Sequence, residues 1–67
     1  MKKETYVSSH TCDQTGRRYT GDGPTDYVGH SLKEAIRVAD ARTAEGQCGV
    51  VKRASDGKAL MPDGSWG

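Results

Sequence analysis

The sequence predicts a small α+β domain in which one helix packs on one face of an antiparallel sheet, with the elements in the order ββαββ. Three observations carry this. Ser31-Leu32-Lys33-Glu34 is a capping box, Ser at N-cap and Glu at N3, and it opens onto an apolar run with helical period. Two stretches rich in β-branched and aromatic residues precede it, and two more apolar stretches follow, each bounded by Gly, Asp or Pro. The chain has 67 residues, so residues 1–67 form one domain.

Thr5 to Thr11 reads as the first strand. Asp13-Gln14-Thr15-Gly16 is a turn signal, and Arg17-Arg18-Tyr19-Thr20 returns as a second strand. Gly21-Asp22-Gly23-Pro24 is an exposed loop, and Asp26-Tyr27-Val28 either extends the second strand or forms a short one of its own. The helix spans about Leu32 to Ala44. Leu32, Ala35, Ile36, Ala39 and Thr43 share its inward face, and Lys33, Arg37, Asp40 and Ala44 form the opposite stripe. Gly46 occupies the position of a C′ glycine, and Arg42 in the last turn complements the helix dipole. Cys48 to Ala54 is the third strand, with Val50-Val51 at its centre. Ser55-Asp56-Gly57-Lys58 is a hairpin signal and Ala59-Leu60-Met61 the fourth strand, ended by Pro62. Trp66 then folds back over the sheet or under the helix.

Composition narrows the function. Only 33% of the residues are apolar, six of these are Ala, and there is no Phe. A chain this short buries only roughly 60% of its unfolded surface. The thin core leaves no room for a buried small-molecule cavity, and it makes a homodimer as conceivable as a monomer. Ten Lys and Arg against nine Asp and Glu give a formal charge of +1, which argues against nucleic-acid binding as the sole activity and against DNA mimicry. Met1-Lys2-Lys3 resembles the start of a signal peptide, but the following residues supply no apolar segment, and nothing approaches the length of a membrane span. The expectation is an intracellular protein without membrane contact, its two Cys being free thiols.

His10, Cys12, His30 and Cys48 could supply four tetrahedral zinc ligands, but no pair has the spacing of a structural zinc site, so no metal or cofactor is expected. A Cys–His nucleophilic pair would need a cleft and an orienting group that this chain is too short to build, so the protein is read as non-enzymatic. Gly21-Asp22-Gly23 is a turn rather than a phosphate loop, because seven residues separate it from the helix cap. The basic residues remain. Arg17 and Arg18 lie near a hairpin tip, Lys33 and Arg37 stack on the exposed helix stripe, and Lys52-Arg53 straddle both faces of a strand. With Tyr6 or Tyr19, Lys52 or Arg53 on the open sheet face would form a polar, aromatic-anchored contact surface.

The segment Tyr27 to Ala39 resembles the strand-into-helix segment of small phage inhibitors, most closely the ninth-numbered family of type I-F anti-CRISPR proteins. That family shares Ser-Leu-x-x-Ala-x-Arg-x-Ala, then a Cys, Gly-x-Val-x-Arg, a Gly-containing hairpin, and Asp-Gly followed by Trp. The matching residues here are Ser31, Leu32, Ala35, Arg37, Ala39, Cys48, Gly49, Val51, Arg53, Gly57, Asp63, Gly64 and Trp66. The stretch Cys12 to Arg18 has no counterpart. The resemblance implies a blocker in the bacterial host cytoplasm that binds the backbone subunits of a type I CRISPR surveillance complex and stops target DNA from pairing with the guide. Arg37 and Arg53 are the matching basic positions. The alternative is a small nucleic-acid-binding module that contacts phosphates through its basic residues.

Overall fold

A computed structural model describes residues 3–21 and 23–67. Met1-Lys2 of the leader-like start and Asp22 of the Gly21–Pro24 loop lie outside the described residues. The elements are β1 (Tyr6–His10), β2 (Thr25–Gly29), α1 (Leu32–Ala44) and β3 (Gly49–Arg53). The three strands form an antiparallel sheet in the order β2-β1-β3, with the helix on one face. The α+β class and the helix-on-sheet packing are as expected; two of the strands are not.

The second strand is Thr25–Gly29, whereas Arg17–Thr20 makes only a single bridge, Arg18 to Cys12. The reason is competition for one edge. β2 pairs along β1 from Tyr6 to Ser9, so the earlier segment can reach only the end of that strand, where the Tyr19 amide donates to the Thr11 carbonyl at 2.9 Å. The Asp13 carboxylate also curls this segment, accepting from the amides of Thr15 and Arg17 and from the Thr15 hydroxyl. The fourth strand is likewise reduced to bridges, Ala59 to Lys52 and Leu60 to Trp66. It is confined between the Gly57 turn and Pro62, which has no amide to donate.

The helix follows its local signals closely. The Ser31 hydroxyl accepts from the Glu34 amide at 3.2 Å. Glu34 does not complete the reciprocal half of the box, because both of its carboxylate oxygens are committed to Arg37. At the other end Gly46 has φ +83°, its amide donates to the Thr43 carbonyl, and the Gln47 amide donates to that of Arg42. That pair of bonds is the Schellman termination expected of a C′ glycine.

The layers meet through small residues. Ala35 and Ala39 are buried against Val51, and Ser8 of the central strand, fully buried, donates its hydroxyl to the Ala35 carbonyl at 2.5 Å. Gly49 lies so close to the helix that a Cβ there would fall 1.9 Å from the Ala39 carbonyl oxygen. Tyr6, Tyr27, Leu32, Ile36, Leu60 and Trp66 pack half-buried around this centre. Thr43 is exposed rather than inward, but its hydroxyl donates to Ala39 and accepts from the Gly49 amide, tying the helix end to β3.

Candidate contact surface

Register decides which side chains each sheet face presents. Val7 pairs with Val28 on one side and Lys52 on the other, so these three form one cross-strand row. Ser8 in the next row touches the helix, so by strand alternation the Val28–Val7–Lys52 row lies on the face away from it. Val28 is 63% exposed and Val7 and Lys52 are half-buried. The following row, Thr25, Ser9 and Val50, continues that face.

Tyr6 and Arg53 pair directly with each other, one residue out of step with Lys52, and so lie on the helix side. The expected combination of Arg53 or Tyr6 with the open face is therefore corrected: of the basic strand pair only Lys52 points there. Arg53 is instead part of an aromatic stack. Its guanidinium carbon lies 4.6 Å from the Trp66 ring centroid, and Trp66 stacks on Tyr6 at 5.9 Å. The Asp56 carboxylate accepts from Arg53 at 2.5 Å, and this bond, with the Lys58 amide, holds the Asp56 carboxyl below its ordinary range.

Lys33 and Arg37 are exposed on the outer helix stripe, as expected, and Arg37 is paired with Glu34 one turn back. Arg17, Arg18 and Tyr19 sit beyond the far end of β1, roughly 17 Å along the strand from Tyr6. The candidate residues thus occupy separate places: the outer helix stripe, the open sheet face, the Tyr6–Trp66–Arg53 stack, and the loop end. Among the described residues, Arg17, Arg18 and Lys33 have no carboxylate partner, whereas Arg37 and Arg53 are internally compensated.

A buried polar network lies on the helix side, unmarked by any local sequence signal. β1 and β2 slip register between Ser8 and Ser9, which leaves Asp26 as an extra residue in β2. The bulge turns Asp26 toward the helix, where its carboxylate takes Nδ1 of His10 at 2.7 Å and the Arg42 guanidinium at 2.9 Å. Arg42 also donates to buried Gln47 at 3.1 Å, and Tyr19 stands edge-on to His10 at 5.6 Å. Arg42 is therefore a core ligand as well as a dipole partner. No local signal marks this, since Asp26 lies 16 residues from each partner.

His10 is bound to Asp26, and His30 contacts the Glu4 carbonyl. Among the described residues no three of His, Cys, Asp and Glu are grouped to hold a metal ion. Gly23 is needed for close backbone approach, because with φ +73° a Cβ there would lie 2.0 Å from the His10 carbonyl oxygen.

Among the described residues no helix is long and apolar enough to cross a membrane. No family model matches this chain, and neither a curated protein nor a solved structure matches it.

Proposed function

We propose that this domain is a non-enzymatic inhibitor that binds a host nucleoprotein machine, most specifically a type I CRISPR surveillance complex, and blocks recognition of target DNA. The observation that carries this reading is the row Val28–Val7–Lys52 on the sheet face away from the helix, with Val28 63% exposed. An apolar strip of this kind suits docking on protein, since the valines bury against it, and the neighbouring cation biases the strip toward an acidic partner surface. The motif residues Ser31 to Ala39 and Gly49 to Arg53, which resemble a family of such blockers, fold here as the capped helix and β3. Lys33 and Arg37 offer a second basic strip on the opposite layer, and the site of action is the bacterial host cytoplasm.

The test is a target-DNA gel shift with purified type I-F surveillance complex preincubated with this chain. The expected result is loss of the shifted band at stoichiometric inhibitor, with Val28→Asp and Lys52→Glu restoring DNA binding. Undiminished DNA binding at large molar excess overturns the proposed target. A second reading, direct nucleic-acid binding, is favoured by Arg17, Arg18 and Lys33, whose charges no carboxylate compensates among the described residues. It requires that the chain alone shift DNA at low salt, with affinity falling steeply as salt rises.

A further inference from the structure

Continuing the β1–β3 register past its last pair, His10 with Gly49, sets Thr11 opposite Cys48 and Cys12 opposite Gln47. The backbone follows that register. The Thr11 amide and hydroxyl both donate to the Cys48 carbonyl at 3.2 Å, and the Cys12 amide donates to the Gln47 carbonyl at 3.2 Å. Side chains alternate along a ladder, so in this register the two cysteines should project to opposite faces. The Cys12 sulfur nevertheless lies toward Cys48: it is 4.0 Å from the Thr11 hydroxyl, which itself donates to the Cys48 carbonyl at 3.2 Å, and the Cys12 thiol raises the Cys48 pKa. The alternation is broken at Cys48, which has φ +53° and is the only non-glycine residue with positive φ among the described residues. An L residue adopts that conformation only where its surroundings compel it. Here the compelling geometry is the Gly46 helix stop immediately followed by re-entry into the sheet, and it sets Cys48 beside Cys12 at the junction of helix and sheet.

We infer that Cys12 and Cys48 form a dithiol site that hydrogen peroxide closes into an intramolecular disulfide. Cys48 is exposed and Cys12 is buried, which assigns their roles. The Cys48 thiolate attacks one peroxide oxygen, breaking the O–O bond; it becomes a sulfenic acid and water leaves after protonation. The Cys12 sulfur then attacks the Cys48 sulfur, expelling a second water and forming the S–S bond. Two thiols are oxidised and one peroxide is reduced, with two waters as products. The neighbouring Cys12 thiol holds the Cys48 pKa above its ordinary value, repulsion from Cys12 and burial adding to it, while Thr11 and the Arg18 charge act in the opposite sense. Cys48 is thus mainly a thiol at neutral pH, and closure quickens as pH rises.

The bond would join the segment that carries Arg17, Arg18 and Tyr19 to the end of the helix, closing a loop across most of the domain. This holds whichever target the domain binds. The test treats the reduced full-length chain with hydrogen peroxide and reads intact mass, iodoacetamide labelling and thermal midpoint. The expected product is a monomer two hydrogens lighter that takes no label. It should melt about 10 °C or more higher, and dithiothreitol should restore both labels and the original midpoint. Cys12→Ser should instead leave Cys48 to over-oxidise or to link two chains. The inference is overturned if the wild-type chain keeps both thiols, gains oxygen at Cys48 while Cys12 still takes label, or forms only intermolecular dimers.

Discussion

The carboxylate of Asp26 holds the imidazole of His10 from 2.7 Å, each side chain being only 7% exposed, and the two meet because a bulge in β2 turns Asp26 toward the helix. The same carboxylate accepts from Arg42, so strand, neighbouring strand and helix converge on one group. Removing it strands a buried imidazole and part of a guanidinium. Asp26→Ala should lower stability by about 2–4 kcal/mol, and Asp26→Asn by less, because one acceptor oxygen remains. Urea unfolding measures both. A loss for Asp26→Ala of under about 0.5 kcal/mol would show that water replaces the network without penalty.

Gly49 and Gly57 should fail differently as alanines. At Gly49 the added methyl meets the Ala39 backbone, so the helix must lift from the sheet, at about 1–3 kcal/mol or more. At Gly57 there is open space, and only the φ of +69° opposes the substitution, at about 1 kcal/mol. Equal losses for the two variants, read from thermal midpoints, would contradict the close interlayer contact.

Acid should unfold the domain through its turns. The carboxyls of Asp13, Asp63, Asp56 and Glu34 are all held below their ordinary values, the first two chiefly by the hydroxyls of Thr15 and Ser65, the others by Arg53 and Arg37. The unfolded chain therefore binds more protons at low pH. The stabilisation from these groups is complete above their unfolded values near 4 and disappears as pH falls through the lower folded ones. The thermal midpoint should hold steady from pH 7 to about 5 and drop below about 4. Asp13→Asn should flatten part of that drop, and a midpoint that stays level down to pH 2.5 would remove the account.

Trp66 should matter to stability more than Arg53. Its ring is clamped between the Arg53 guanidinium and Tyr6, and it packs against the Ala35–Ala39–Val51 centre. Trp66→Ala should cost about 2–3 kcal/mol. Arg53→Ala, which leaves the indole on Tyr6, should cost less, while red-shifting the tryptophan emission by admitting water to one ring face. An unchanged spectrum in Arg53→Ala would mean the guanidinium does not cover the ring.

The helix was legible in the sequence because its ends are determined within a few residues. Ser31 needs only the amide of Glu34, and Gly46 needs only the carbonyls of the last turn. The strands were less so. Arg17–Thr20 has the composition of a returning strand, but nothing in it records that Thr25–Gly29 takes the same edge of β1. Sidedness follows register, and register is a property of pairs. Lys52 and Arg53, adjacent along β3, must straddle the sheet, yet only the Tyr6–Arg53 pairing reveals that Tyr6 goes with Arg53 and away from Lys52. The Cys12–Cys48 contact was hidden for a related reason, since it depends on a backbone conformation that glycine signals normally announce and cysteine does not.

The small residues between the layers have an evolutionary consequence. With Ser8, Ala35, Ala39 and Gly49 setting the separation of helix and sheet, no one of them can grow without forcing the other layer outward. Such an interior offers few single-step changes to selection. Diversification is left to the helix stripe, the open sheet face and the loop after β1, while the frame stays constant.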